Sequence, residues 1–289
     1  MKTILVPVDF STHTIHTAHF GMELAHQIGG QVLLLHVVQP SPRVPMMGVP
    51  TVNLLSWNRS MYDQKSVEMQ QVKDELNDFK RREGFPDVEV HSELLVGQPA
   101  DSILEIARNQ AVAFIVMGTV GASSAWEKMF GSVTSEVASQ ADQPLWIIPN
   151  AVRLNALRQF AYFADLEGDE VSCINQVIDL GEQLRVAMNV VHVCGLNDDA
   201  QSQAEAMIDA FEVSYANDRV TFQNLGYDSV GEGVEAYTRT HWPDAIVLAQ
   251  RNRGLAGRLF HKSVIRQLSL TAKRPCSLSR SQISDEQMF

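Results

Sequence analysis

The chain has 289 residues, of which 45% are hydrophobic and 20% charged, about twice the length of a common domain and ordinary for a globular protein. A chain this long builds its core without disulfides or structural metal. Its net charge of -11, from 23 Lys plus Arg against 34 Asp plus Glu, disfavours non-specific binding to nucleic acid or anionic membrane.

Short apolar runs alternate with longer amphipathic stretches. Thr3 to Val8 reads as a strand, followed by a helix from about Thr12 to Ile28 that stops at Gly29-Gly30. Gln31 to Val38 is a second strand, apolar on both faces. Gln39 to Ser56, with Pro40, Pro42, Pro45 and Pro50, reads as an irregular excursion before a long polar helix from about Asn58 to Arg82. Val88 to Val96 is a third strand, Pro99 to Asn109 a helix, and Ala111 to Met117 a fourth strand. After a glycine-rich loop come a helix, Ser132 to Gln140, and a fifth strand, Pro144 to Ile148. Continuous apolar strands alternating with helices predict a parallel sheet covered on both faces.

The second half repeats this pattern. Arg158 to Asp165 matches the opening strand, and Asp165 stands 156 positions after Asp9. Met188 to Cys194 matches the second strand, with His192 the same 156 positions after His36. Ala245 to Ala249 echoes the fourth strand, and Pro275 to Leu278 the fifth, Pro275 lying 131 positions after Pro144. A duplicated α/β unit with its join near Asn150 to Ala156 accounts for these matches. The predicted domains are residues 1–150 and 157–280.

Strand four runs directly into Gly118-Thr119-Val120-Gly121, then nine residues, then Gly131-Ser132-Val133-Thr134 at a helix start. Glycine lets backbone approach a ligand closely. Free amides at the start of the Ser132 helix attract an anion such as phosphate, and Ser132 and Thr134 add hydroxyl donors. With strand order 3-2-1-4-5, strands one and four lie side by side where chain direction reverses, and ligands bind at such a crevice. Asp9, ending strand one, would face the glycine loop there. An acidic group opposite phosphates suits ribose hydroxyls or a phosphate-bound Mg²⁺. The competing reading is that the glycines only make a tight turn and Asp9 only caps the next helix beside Ser11.

The chain resembles a tandem universal stress protein, two such domains in one polypeptide. The residues that carry the resemblance are ILVPVDFS at the start, the LLHVV strand, and MGTVGASSAWEKMFGSVTSEVASQADQPLWIIP. The resemblance implies two Rossmann-like units of the adenine nucleotide alpha hydrolase-like type, each with a five-stranded parallel sheet. It also implies ATP or AMP as ligand, with or without Mg²⁺. By the same carry-over Pro7, Val8, Asp9 and Val37 surround adenine and ribose, while Met117, Gly118, Gly121, Gly131, Ser132, Val133 and Thr134 line ribose and phosphates. Basic or His residues often seen between the first two glycines are here Thr119 and Val120, which leaves Lys128 as the nearest cation. In tandem members the halves pack as a pseudo-dimer through their fifth strands, here Leu145 to Ile148 and Cys276 to Ser279. Pairing of whole chains into a homodimer stays open.

In the second half Gln250, Arg253 and Lys262-Ser263 stand where the two glycines and the final Gly-Ser would be. Side chains there occupy the space through which backbone meets phosphate, so this loop reads as degenerate. Its Arg251, Arg253, Arg258 and Lys262 form a basic loop, and Asp165 alone reads as a helix cap.

Other signals are weaker. Cys173, Cys194 and Cys276 are far apart and form no C-x-x-C pair, so no zinc ribbon or thioredoxin motif is present. Gly231-x-Gly233-x-x-Ala236 matches the dinucleotide fingerprint loosely but lacks the acidic residue about twenty positions on. His13, His16 and His19 drift around the first helix and read as solvent-facing rather than as a metal site. His36 and His192 read as hydrogen-bonded structural histidines beside the crevices. Met46, Met47 and Trp57 read as cover for the core or the crevice. No P-loop and no G-x-S-x-G elbow occurs. The opening apolar run breaks at Pro7 and Asp9, too soon for a signal peptide, and no run approaches the roughly 20 apolar residues of a membrane helix. The reading is therefore a cytoplasmic, nucleotide-binding regulatory protein of the stress response. A slow Mg²⁺-dependent ATPase and a dimerising scaffold are the alternatives.

Overall fold

The computed structural model describes residues 1–39, 52–119, 132–149, 152–164, 170–215, 218–250 and 276–280. In the first half, β1 (Lys2–Pro7), β2 (Gly30–Val38), β3 (Val90–Val96), β4 (Val112–Gly118) and β5 (Leu145–Ile148) alternate with four helices. These are α1 (Thr14–Ile28), α2 (Val52–Glu83), α3 (Pro99–Asn109) and α4 (Ser132–Gln140). A 3-10 turn, Leu154–Ala156, leads into the second half. There β6 (Gln159–Ala164), β7 (Ala187–Cys194), β8 (Val220–Gly226), β9 (Ala245–Gln250) and β10 (Cys276–Arg280) alternate with α5 (Glu170–Leu184), α6 (Asp198–Tyr215) and α7 (Val230–His241).

Local chemistry sets several of these bounds. Gly29 ends α1 at φ 66, and its amide reaches back to the carbonyls of Ala25 and His26, the left-handed C-terminal stop that favours glycine. Proline opens α3, Asp101 sits in its first turn and Arg108 in its last, each complementing the helix dipole. Ala100, Ile103, Leu104 and Ala107 make the buried stripe of α3 at helical spacing.

One correction concerns α2, which starts at Val52 rather than near Asn58. The last proline of the excursion is Pro50, and residues 51–57 hold neither proline nor glycine, so nothing local stops the helix from extending. Met46 and Met47, like the rest of residues 40–51, lie outside the described residues.

The strands form one ten-stranded sheet in the order β3-β2-β1-β4-β5-β10-β9-β6-β7-β8. Each half therefore has the order 3-2-1-4-5, the second one reversed in space. Neighbours within each half run parallel. At the centre β5 and β10 run antiparallel, with Cys276 opposite Ile147, Ser277 opposite Trp146 and Leu278 opposite Leu145. Crossover helices require parallel neighbours; the antiparallel pair is where the two halves meet.

Each face of the sheet carries one apolar layer that runs through both halves. On one face Ile4, Val6, Phe20 and Trp146 join Phe160, Tyr162 and Val190. On the other Leu5, Leu35, Ile103 and Ile115 join Phe163, Val191 and Tyr237. Trp146 sits at the junction, 5.3 Å from the Phe20 ring and 5.7 Å from Phe160. Alternation of β1 side chains between these layers puts α1 on one face and α3 with α4 on the other.

Candidate functional site

Strands β1 and β4 are neighbours at the point where connections leave in opposite directions, toward β2 and toward β5. Beyond their carboxyl ends lies a cavity of about 270 Å³, in the position where open α/β sheets take their ligands. From the first strand it is lined by Pro7, Val8 and Asp9, from the second by Val37, and from the fourth by Met117 and Gly118. The start of α4 contributes Ser132, Val133 and Thr134. The remaining two of the residues expected from the sequence, Gly121 and Gly131, lie outside the described residues, as does Lys128.

Of the other lining residues the sequence placed only His36 beside the crevice. Ser11, His13, Thr14 and Thr17 come from the entry and first turns of α1, and Pro99 and Ile103 from α3. Leu35, His36 and Thr119 complete the wall. The available signal was positional: α1 follows directly on β1, so its first turn must stand over the crevice.

Asp9 does two things at once. Its Oδ1 accepts the Ser11 amide at 2.9 Å and the Thr14 hydroxyl at 2.9 Å, a turn that fastens the start of α1. Burial works against its charge, but the bonds from Ser11 and Thr14 prevail and its pKa lies below the ordinary carboxyl value. The carboxylate is therefore ionised at neutral pH. Asp9 thus makes a turn before α1 and holds the Thr14 hydroxyl rather than capping a helix amide, and it lines the cavity as well.

Gly118 shows why glycine ends β4. A Cβ built there would stand 2.7 Å from the Thr17 hydroxyl, so a side chain at this position would displace the Thr17 side chain. Thr17 in turn donates its hydroxyl to the His13 carbonyl at 3.2 Å.

His36 is fixed by a 2.7 Å bond between Nδ1 and the Val8 carbonyl; a carbonyl only accepts, so the proton is on Nδ1. The Phe10 ring lies 4.3 Å from it, and Lys65 of α2 sits 4.8 Å from the Phe10 ring centroid. Burial, together with the Lys65 charge, keeps the His36 pKa below its usual value despite the Val8 bond. His192 repeats the arrangement in the second half, its Nδ1 lying 2.9 Å from the Ala164 carbonyl. Both histidines thus have the structural role expected of them, and His36 also faces the cavity.

The first-helix histidines need correction. Of His13, His16 and His19, only His16 is exposed. His13 lines the cavity. His19 stacks on Phe79 of α2, centroids 3.8 Å apart, with its side chain 14% exposed. The reason is the second long helix, which covers the α1 face on which His19 stands. No group of three or more His, Cys, Asp or Glu capable of holding a metal occurs among the described residues.

The loop around Gln250 to Ser263 lies outside the described residues after Gln250, and Asp165 does too. Gly233 of the loose fingerprint is within α7, where a Cβ would stand 2.7 Å from Val193; it serves close helix–sheet packing. No helix among the described residues is long and apolar enough to cross a membrane.

The family model of the universal stress proteins matches residues 1–149. The chain belongs to the universal stress protein family. A universal stress protein of Methanocaldococcus jannaschii is 26% identical over 147 residues, 51% of this chain and 81% of that protein. One from Thermus aquaticus is 26% identical over 147 residues, again 51% of this chain and 98% of the relative. The crystal structure of a universal stress protein from Archaeoglobus fulgidus superposes with a TM-score of 0.71 at 14% identity, covering 96% of each chain. A functionally unknown protein of Pseudomonas aeruginosa superposes with a TM-score of 0.64 at 11% identity, covering 97% of this chain and 92% of that one. These two likenesses concern the fold, and they extend it over both halves of this universal stress protein.

Proposed function

We propose that this universal stress protein binds an adenine nucleotide, ATP or AMP, in the crevice of its N-terminal half and acts in the cytoplasm as a regulatory protein. The observation that carries the reading is the cavity at the β1–β4 switch point, bounded by an ionised carboxylate on one side and a helix start on the other. Asp9 Oδ2 suits a ribose hydroxyl or a bound Mg²⁺. The amides of Ser132, Val133 and Thr134, with no acidic residue in the first turn of α4, suit the phosphates. Val8, Val37 and Met117 offer an apolar wall for the base. In this reading Gly121 and Gly131 bring backbone up to the phosphates.

The same proposal takes residues 1–150 and 157–280 as two domains of common descent. The matching strand order of the halves supports this, as does the paired bond of His36 and His192 to the end of the first strand of each half. The β5–β10 pairing supports a pseudo-dimer joined through the fifth strands. Only the first of the two sites would hold nucleotide, because the second loop lacks the glycines.

Calorimetric titration with ATP and AMP, each with and without Mg²⁺, tests the reading. Saturable binding with one site per chain is expected, and Gly131→Val should abolish it. Unchanged affinity in that variant would remove the loop from the site. Absence of binding by either nucleotide would leave a dimerising scaffold. Phosphate release above background, lost in Asp9→Ala, would make the protein an ATPase.

A further inference from the structure

His13 is the one cavity-lining imidazole whose ring nitrogens have no partner among the described residues. It precedes α1 at φ -89 and ψ -18 and makes no side-chain capping bond, so its ring has no role in fastening the helix. Its Nδ1 is enclosed by protein without a hydrogen bond. The other imidazole of the wall, His36, is already committed to the Val8 carbonyl. No Lys or Arg lines the cavity among the described residues.

Enclosed and without a partner, Nδ1 is not open to a ligand. Nε2 is the other polar atom of the ring, and His13 lines the cavity. His13 also stands on the opposite sheet face from α4, because α1 packs with the layer of Ile4 and Val6 and α4 with the layer of Leu5 and Ile115. A ligand anion held at the start of α4 would thus meet an N–H donor from across the crevice.

We infer that His13 is a phosphate-contacting residue, donating from Nε2 to a phosphate oxygen of the bound nucleotide. The inference rests on the nucleotide reading of the cavity and adds a donor that the glycine loop does not supply. It assigns His13 a role in binding the phosphate, and Asp9, Val37 and Met117 keep theirs at the ribose and base.

The test compares wild-type protein with His13→Ala and His13→Gln by calorimetry against ATP, AMP and adenosine. A hydrogen bond to a charged group corresponds to roughly a tenfold or larger change in affinity. His13→Ala should lose about that factor toward ATP, and toward AMP as well if the contact is to the first phosphate, while adenosine binding stays within about twofold. His13→Gln, which retains an N–H donor, should recover part of the loss. Long-range ¹H–¹⁵N spectra read the contact directly: the Nε2 signal missing from His13→Ala should shift when ATP is added to the wild type. An Nε2 signal unmoved at saturating ATP, or equal losses toward adenosine and ATP, overturns the assignment while leaving nucleotide binding intact. A wild type that binds none of the three overturns both.

Discussion

The imidazole of His19 lies between α1 and α2, stacked on Phe79. Burial first, then the charges of Arg153, His16 and Arg82, lower its pKa from 6.5 to about 4. Glu75 Oε1, 4.0 Å away, does not hold it charged. A depressed histidine pKa means the unfolded chain binds more protons than the folded one between those two values. Stability conferred by the neutral ring is therefore complete above about pH 6.5 and is lost as pH falls toward 4, by roughly 3 kcal/mol in all. His36, lowered for the same first reason, acts in the same direction. Urea unfolding of wild type and His19→Gln across that range isolates the His19 share. The variant should show the shallower slope, and parallel curves would refute the assignment.

Among elements, α1 has the most connections, since it lines the cavity with its first turn and anchors the join with its middle. Glu23, 4% exposed, accepts the Leu154 amide at 2.6 Å and pairs with the Arg153 guanidinium. Arg153 also reaches Glu83 at 3.2 Å and lies 4.9 Å from the Phe79 ring centroid. Burial opposes the Arg153 charge, yet the two carboxylates hold its pKa above the ordinary value. Removing one partner of such an arrangement leaves the other unpaired. Glu23→Ala should cost about 3 kcal/mol of unfolding free energy, with Glu23→Gln costing less because it still accepts the Leu154 amide. Equal, negligible losses in both would mean that the join is not held by this side chain. None of this was legible beforehand, because a lone glutamate on an otherwise apolar face gives no hint of a partner 130 positions away. Elements set by local chemistry were legible: α3 and α4 begin and end where the prolines, glycines and periodicity place them. The wall of the cavity was legible where it follows strand ends, at Pro7 to Asp9, Val37 and Met117. On α1 only the position of its first turn over the crevice was legible; which of its histidines is covered, as His19 is by Phe79, depends on the tertiary placement of α2.

At the scale of the whole molecule, the two halves form a single sheet because β5 and β10 pair edge to edge. Unpaired strand edges invite association with other chains, and here the central edges are consumed internally. The pairing also joins the apolar layers of the two halves into one on each face of the sheet. Leu278 is paired on both sides, to Leu145 and to Leu248, and a proline there removes an amide from the middle of the ladder. Leu278→Pro is expected to destabilise the protein and to speed amide exchange at Leu145 to Ile147. Unaltered exchange in those three residues would show that the seam uses another register.

That seam has a consequence for how the molecule is made. Among the described strands, β10 is the last to leave the ribosome, while its partner β5 emerges more than a hundred residues earlier. During the interval a nascent chain carries Trp146 and the rest of β5 without the neighbour that will shield them. An unpaired edge invites pairing with another chain, and neighbouring nascent chains on one polysome would present the same bare strand to one another.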